Sequence, residues 1–189
     1  MRILVGCEFT QIVTHAFRDM GHEAYSCDVL PTEGNPYWHI EGNVLDILNE
    51  NWDLAIFHPP CTYLAVSGNR WMKNNPEREA LREEAVEFFM TLANCDIPKI
   101  ATENPVGIMS TRWRKPDQYI QPWQFGHPET KKTGLWLKNL PKLNPTNVVP
   151  GREQRIFRMP PSENRAQERS RTYTGIAKAM SMQWGCLHD

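Results

Sequence analysis

Residues 2–28 read RILVGCEFTQIVTHAFRDMGHEAYSCD, and the hydrophobic period of this stretch changes twice. Arg2-Ile3-Leu4-Val5-Gly6 is a short apolar, β-branched run of the kind that forms a buried strand. Ile12, Val13, Ala16, Phe17 and Met20 then recur at helical spacing, with Gly21 as a C-terminal stop. Glu23-Ala24-Tyr25-Ser26-Cys27 returns to a strand pattern that ends at Asp28. Strand, helix and strand in this order make a β-α-β unit, from which right-handed parallel sheets are wound.

Working outward, residues 30–38 carry two prolines and a Gly34-Asn35 turn signal and read as loop. Residues 42–47 read as the exit from a third short strand. Residues 53–57 are a fourth strand, ending at His58-Pro59-Pro60-Cys61. A long helix is predicted over 76–93: Asn75 can cap it, Pro76 suits its first turn, and Leu81, Ala85, Val86, Phe88, Phe89 and Leu92 give an apolar stripe. Residues 99–102 form a fifth strand before Glu103-Asn104-Pro105, and 134–138 a sixth. Helical propensity returns at 176–180, in a segment that packs back onto the sheet. A chain of 189 residues is long enough to bury one core without disulfides or metal. The expectation is one α/β domain over 1–189, a twisted, mostly parallel sheet with helices on both faces.

The net charge is -1 and the sequence pI about 6.6, so nothing global advertises a polyanionic partner. The charge is uneven, however. Residues 152–171 hold six arginines (Arg152, Arg155, Arg158, Arg165, Arg169, Arg171) against three glutamates, in a polar, proline-bearing stretch that reads as loop. The five cysteines are odd in number and fit no zinc-ligand spacing, which points to reduced thiols and no metal site. No long apolar leader or spanning segment is present, so a soluble, cytoplasmic protein without membrane contact is expected. His58, a lone histidine without spaced partners, is assigned no role.

Asp28, Cys61 and Glu103 all follow predicted strands. In an open parallel sheet ligands bind outside the carboxyl ends of the strands, so the three can face one crevice. A thiol attacks only as thiolate, in a partly exposed, polar place. The two prolines before Cys61 donate no ladder hydrogen bond and stiffen the approach, so they can hold one nucleophile on a fixed path. A carboxyl shielded in a crevice has its pKa raised and stays able to donate a proton to a ring nitrogen, which is the expectation for Glu103. Thiolate and protonated carboxyl together suit conjugate addition to a pyrimidine.

DLAIFHPPCTYLAVSGNRW (53–71) resembles the Pro-Cys motif of the DNA cytosine-5 methyltransferases, and ATENPVG (101–107) their Glu-Asn motif. FGHPETKKTGLWLK (125–138) is similar to the family segment that carries a Gln-x-Arg-x-Arg pattern before a strand, EFTQIVTHAF to the first cofactor loop and helix, and TYTGIAKAM to the last motif. The match runs through nearly the whole chain in the family's order and is nearest to the short, phage-type methylases. The resemblance implies a Rossmann-like methyltransferase fold and S-adenosylmethionine as cofactor. It implies that Cys61 adds to C6 of cytosine, that Glu103 holds or protonates N3, and that Lys131 supplies charge on the O2 side. In duplex DNA the base would first leave the stack.

By the same match Phe9, Thr10 and Pro59 line the cofactor site, Asp28 binds the ribose hydroxyls, and Asn43 accepts a hydrogen bond from adenine. Pro60 and Asn104 lie on the substrate side. Asp28 equally suits a cap on the following turn, and Asn104 a structural hydrogen bond. Three departures stand out. The glycines of the first motif are replaced by Gln11, Ile12 and Val13. Glu129, Lys131 and Thr133 stand where the pattern has Gln, Arg and Arg. A basic loop, 140–171, takes the place of a separate recognition domain, and Arg155 and Arg171 within it are the expected contacts to DNA, duplex or single-stranded. A second chain supplying target recognition, a free cytosine nucleotide as substrate, and a non-catalytic DNA-binding or anti-restriction relative are the alternatives.

Overall fold

The N-terminal β-α-β unit forms as β1 (Arg2–Gly6), α1 (Ile12–Arg18) and β2 (Glu23–Asp28) in the computed structural model, which describes residues 1–71 and 75–187. There follow β3 (His39–Glu41), β4 (Leu54–Phe57), α2 (Pro76–Asn94), β5 (Lys99–Pro105), α3 (Met109–Arg112), β6 (Gln118–Ile120), β7 (Thr133–Lys138), α4 (Arg155–Arg158), α5 (Arg165–Ser170) and α6 (Thr174–Trp184). Among the described residues the strands make one sheet of seven in the order β3-β2-β1-β4-β5-β7-β6. Strands β1 to β5 pair in parallel, whereas β7 runs antiparallel to both β5 and β6. The chain winds outward from β1 through β2 to β3, then returns to the other side of β1 as β4. That reversal opens a crevice at the carboxyl ends of β1 and β4, where α/β sheets bind ligands.

Side-chain alternation divides the core into two layers. Ile3, Val5, Leu54, Ile56 and Ala101 face Val13 and Phe17 of α1 and Ile176, Ala177, Met180 and Trp184 of α6. Leu4, Ala55, Phe57 and Ile100 face the other way, toward Phe88 and Leu92 of α2. The central strands β1, β4 and β5 are therefore apolar on both faces, as a covered parallel sheet requires. The expected α/β, Rossmann-like architecture with helices on both faces is the one found.

The third strand lies at 39–41, pairing Ser26, Cys27 and Asp28 of β2, and not in the segment after it. Val44–Ile47 is instead a 3-10 turn, because the Asn43 side chain accepts a hydrogen bond from Leu45 N (3.1 Å) and caps it. β5 runs beyond residue 102, since β7 pairs it out to Pro105 opposite Thr133; Glu103 and Asn104 thus lie within a strand rather than after one. β6 has no counterpart in the sequence reading. The stretch 152–171 is not all loop and contains α4 and α5. The long helix begins as expected at Pro76, with Asn75 Oδ1 accepting from Arg78 N (3.1 Å).

Candidate active site

The corner after β4 is held from the next strand. Asn104 is 2 % exposed and its Nδ2 donates to the Pro59 carbonyl at 2.8 Å, which ties the Pro59-Pro60-Cys61 corner to β5. Past the corner, Leu64 N and Ala65 N both donate to the Cys61 carbonyl, at 3.1 and 2.9 Å, so the nucleophile candidate heads a tight turn. That turn leans on the segment after β5. Ala65 forms a bridge with Gly107, and a Cβ at Gly107 would come within 2.2 Å of the Leu64 carbonyl. Only glycine permits this approach. Pro59 is buried, whereas Pro60 and Cys61 are exposed.

Parallel register carries the pairing of β4 and β5 one step further. Phe57 lies beside Thr102, so His58 falls beside Glu103 on the same face. His58 Nδ1 lies 2.8 Å from Glu103 Oε2, with the two side chains only 8 % and 15 % exposed. Burial pushes the Glu103 carboxyl up, but the His58 bond and charge, Lys131 and the Thr133 hydroxyl outweigh it and hold it below the ordinary carboxylate range. The expected upward shift of the Glu103 carboxyl is therefore corrected in direction: the hydrogen bonds and charges beside it outweigh burial. Burial and the nearby Glu103 charge push the Cys61 thiol up, while Lys131 and Arg169 pull it down. Cys61, Glu103 and Lys131 thus act on one another through a shared field. Lys131 also donates from Nζ to the Arg171 carbonyl at 3.2 Å. Glu103, Lys131, Thr133, Thr172, Tyr173 and Ile176 line a small cleft beside them.

The cofactor end is built around two residues that the sequence reading passed over. Glu8, 4 % exposed, accepts from Val13 N (2.7 Å), Thr14 N (3.2 Å) and Thr14 Oγ1 (2.8 Å), so a carboxylate closes the N-terminus of α1. Dinucleotide folds place a pyrophosphate at that position. A phosphate here would meet like charge. Gln11 adopts the left-handed conformation (φ 58) that the missing glycine would supply. Its side chain compensates, donating to Ser26 Oγ and the Asn35 carbonyl and accepting from Asn35 N. The loop keeps its shape through this side chain instead of through glycine.

Phe9 is buried at the mouth of the same crevice, and its carbonyl accepts from Thr32 Oγ1 (2.8 Å) and Glu33 N (3.0 Å); Thr10 follows it, half-buried. Asp28 ends β2, and its Oδ1 accepts from Leu30 N at 3.0 Å, with burial the main cause of a raised carboxyl pKa. The carboxylate therefore caps the turn that follows β2. Asn43 is exposed and its Oδ1 is engaged by Leu45 N.

The two arginines expected on DNA are both paired within the protein. Arg155 Nε donates to Glu129 Oε1 and Oε2 at 3.0 and 2.9 Å, and Tyr173 Oη donates to the same carboxylate. Arg171 forms a two-pronged bond to Glu33, 2.7 Å on each arm, and its guanidinium lies over the Phe9 ring at 5.9 Å. The basic-motif position 129 thus anchors the 140–171 segment rather than a base. Arg152, stacked on Trp123 at 3.8 Å, and exposed Arg158 form no ion pair among the described residues.

No protein-family model and no curated protein matches the chain. Solved structures do. A protein encoded within an E. coli prophage and assigned as a DNA modification methyltransferase superposes with a TM-score of 0.49 at 13 % identity, over 78 % of this chain and 51 % of its own. The S. pombe Dnmt2 methyltransferase gives 0.49 at 14 % identity, over 84 % of this chain and 55 % of its own. The chain thus spans about half the length of these structures. The sheet order with its single reversed strand β7 is itself the α/β, Rossmann-like arrangement of a methyltransferase fold.

Proposed function

We propose that the chain transfers a methyl group from S-adenosylmethionine to C5 of cytosine in DNA, through a covalent bond from Cys61 to C6. The observation that carries this reading is the meeting of Cys61, Glu103 and Lys131 at the carboxyl ends of β4 and β5, beside a crevice whose helix terminus is already closed by Glu8. When bound, the sulfonium of S-adenosylmethionine supplies an electrophilic methyl group. The remaining tasks fall to side chains. As the Cys61 sulfur bonds to C6, the thiol proton passes by way of the Glu103 carboxylate to N3, which leaves C5 electron-rich and able to take the methyl group. Glu103 holds the N3 and N4 edge and Lys131 faces the O2 side. Loss of the C5 proton to water then expels the thiolate, and the N3 proton returns to it by way of Glu103, which restores the ring and the thiol.

Asp28 and Phe9 serve the cofactor side, and Asn104 holds the Pro59 corner. Cations of the 140–171 segment, chiefly Arg152 and Arg158, meet phosphates. The test is transfer of radiolabelled methyl from S-adenosylmethionine to duplex DNA, single-stranded DNA and cytosine nucleotides in parallel, with Cys61→Ala as control. Label in DNA that is lost in Cys61→Ala is expected. Label only in nucleotide would move the substrate, and no label in any acceptor would sink the proposal.

A further inference from the structure

A carboxylate pressed into a crevice needs a hydrogen-bond partner, and the neighbouring strand supplies one. His58, at the end of β4, is 92 % buried by its side chain and has Nδ1 at 2.8 Å from Glu103 Oε2. Its other ring nitrogen, Nε2, is buried and finds no partner among the described residues. The imidazole therefore serves one polar group, and that group is Glu103. The adjoining backbone is fixed as well, because His58 N donates to the Gly6 carbonyl at 3.0 Å. Position 58 is thus held jointly by β1 and β5, at the centre of the sheet.

We propose that His58 is the positioning residue of Glu103. Its Nδ1 holds one carboxylate oxygen so that the other faces the pyrimidine. This rests on the methyl-transfer reading for its catalytic consequence, but not for its effect on Glu103. The other groups facing that carboxyl are Lys131 and Thr133 at the start of β7, Cys61 from the β4 corner, and Tyr173 across the cleft. Lys131 is shared with the Arg171 carbonyl, so His58 is the partner dedicated to Glu103.

Two readouts on the full chain test the proposal. The first follows the Glu103 side-chain carboxyl by carbon NMR against pH in the wild type, His58→Ala and His58→Asn. The asparagine can keep a donor near the Nδ1 position and carries no charge. Removing the imidazole should raise the carboxyl's titration midpoint, a decrease of about tenfold or more in its acid dissociation constant, with His58→Asn intermediate. The second follows the pH profile of Cys61-dependent methyl transfer, whose Glu103 limb should move in the same direction. An unchanged midpoint in both variants overturns the proposal, whatever the activity. A shifted midpoint in a wild type that methylates nothing supports the pairing while refuting the methyl-transfer reading. Should His58→Ala not fold, the folded His58→Asn protein decides by the same comparison.

Discussion

The Cys61 thiol lies in a balance of three charges that can be removed singly. Burial and Glu103 raise its pKa, and Lys131 and Arg169 lower it. Since only the thiolate reacts, alkylation by iodoacetamide should rise with pH through a midpoint above the ordinary thiol range. Glu103→Gln removes a raising charge and should move that midpoint down; Lys131→Gln removes a lowering charge and should move it up. Site-resolved mass spectrometry separates Cys61 from exposed Cys186, and identical midpoints in all three proteins would contradict the shared field. Asn104 is a second case. Asn104→Ala leaves the buried Pro59 carbonyl without its donor, a loss of about 1–3 kcal/mol, and calorimetry should record a lower Tm. At this scale the corner at Cys61 was legible because two prolines announce it. Glu103 was expected after β5 and lies within it, and its carboxyl was expected up where its neighbours hold it down, because β7 extends the strand and register brings His58 beside it, neither of which a single sequence displays. Glu8 was hidden for a similar reason, since its three donors lie in the following helix turn.

Between elements, the site depends on how closely two backbones approach. Gly107 brings the segment after β5 against the turn headed by Cys61, and Gly175 brings α6 against the Phe125 carbonyl, where a Cβ would stand 1.8 Å away. Either collision forces the backbones apart, at a cost of about 1–3 kcal/mol for overpacking. Gly107→Ala should therefore lower Cys61-dependent methyl transfer at least tenfold while circular dichroism shows the fold retained. Gly175→Ala should instead depress Tm, because α6 contributes Ile176, Met180 and Trp184 to the core. Equal effects of both variants on activity and stability would refute this division. The long and strongly patterned elements, β1, α1, β4 and α2, were readable from period and caps. β3 and β6, of three residues each, were not, because three residues hold only about one and a half cycles of the two-residue strand period, too few to stand out, and such strands exist only through their neighbours.

For the molecule as a whole, the question is how a chain of net charge -1 would hold a polyanion. The arginine-rich stretch suggested a cationic surface, but tertiary pairing spends much of it internally: Arg155 on Glu129 and Arg171 on Glu33, with Arg171 tying the α6 entry to the loop after β2. Composition counts charges, and only the folded chain reveals which of them are already neutralised. What remains for phosphates is Arg152, Arg158, Arg165 and Arg169, which form no ion pair among the described residues, with Phe157 between the short-helix arginines left 78 % exposed for a base to stack on. Binding to DNA should therefore show a salt dependence set by about four contacts. Each phosphate contact contributes a slope of about -0.9 in log affinity against log salt on duplex, or about -0.7 on single strands. Arg152→Ala and Arg158→Ala should each lower the magnitude of the slope by about 1. Phe157→Ala should weaken single-strand binding by about 1–3 kcal/mol with the slope unchanged, because stacking is not electrostatic. Fluorescence anisotropy over a salt series measures all three variants on one labelled oligonucleotide. A steeper slope unmoved by Arg152→Ala and Arg158→Ala would mean that Arg155 and Arg171 exchange their carboxylate partners for phosphates on binding. A salt-insensitive affinity, with methyl transfer to nucleotides intact, would mean that the acceptor is a single nucleotide and the segment 140–171 is a cover for it.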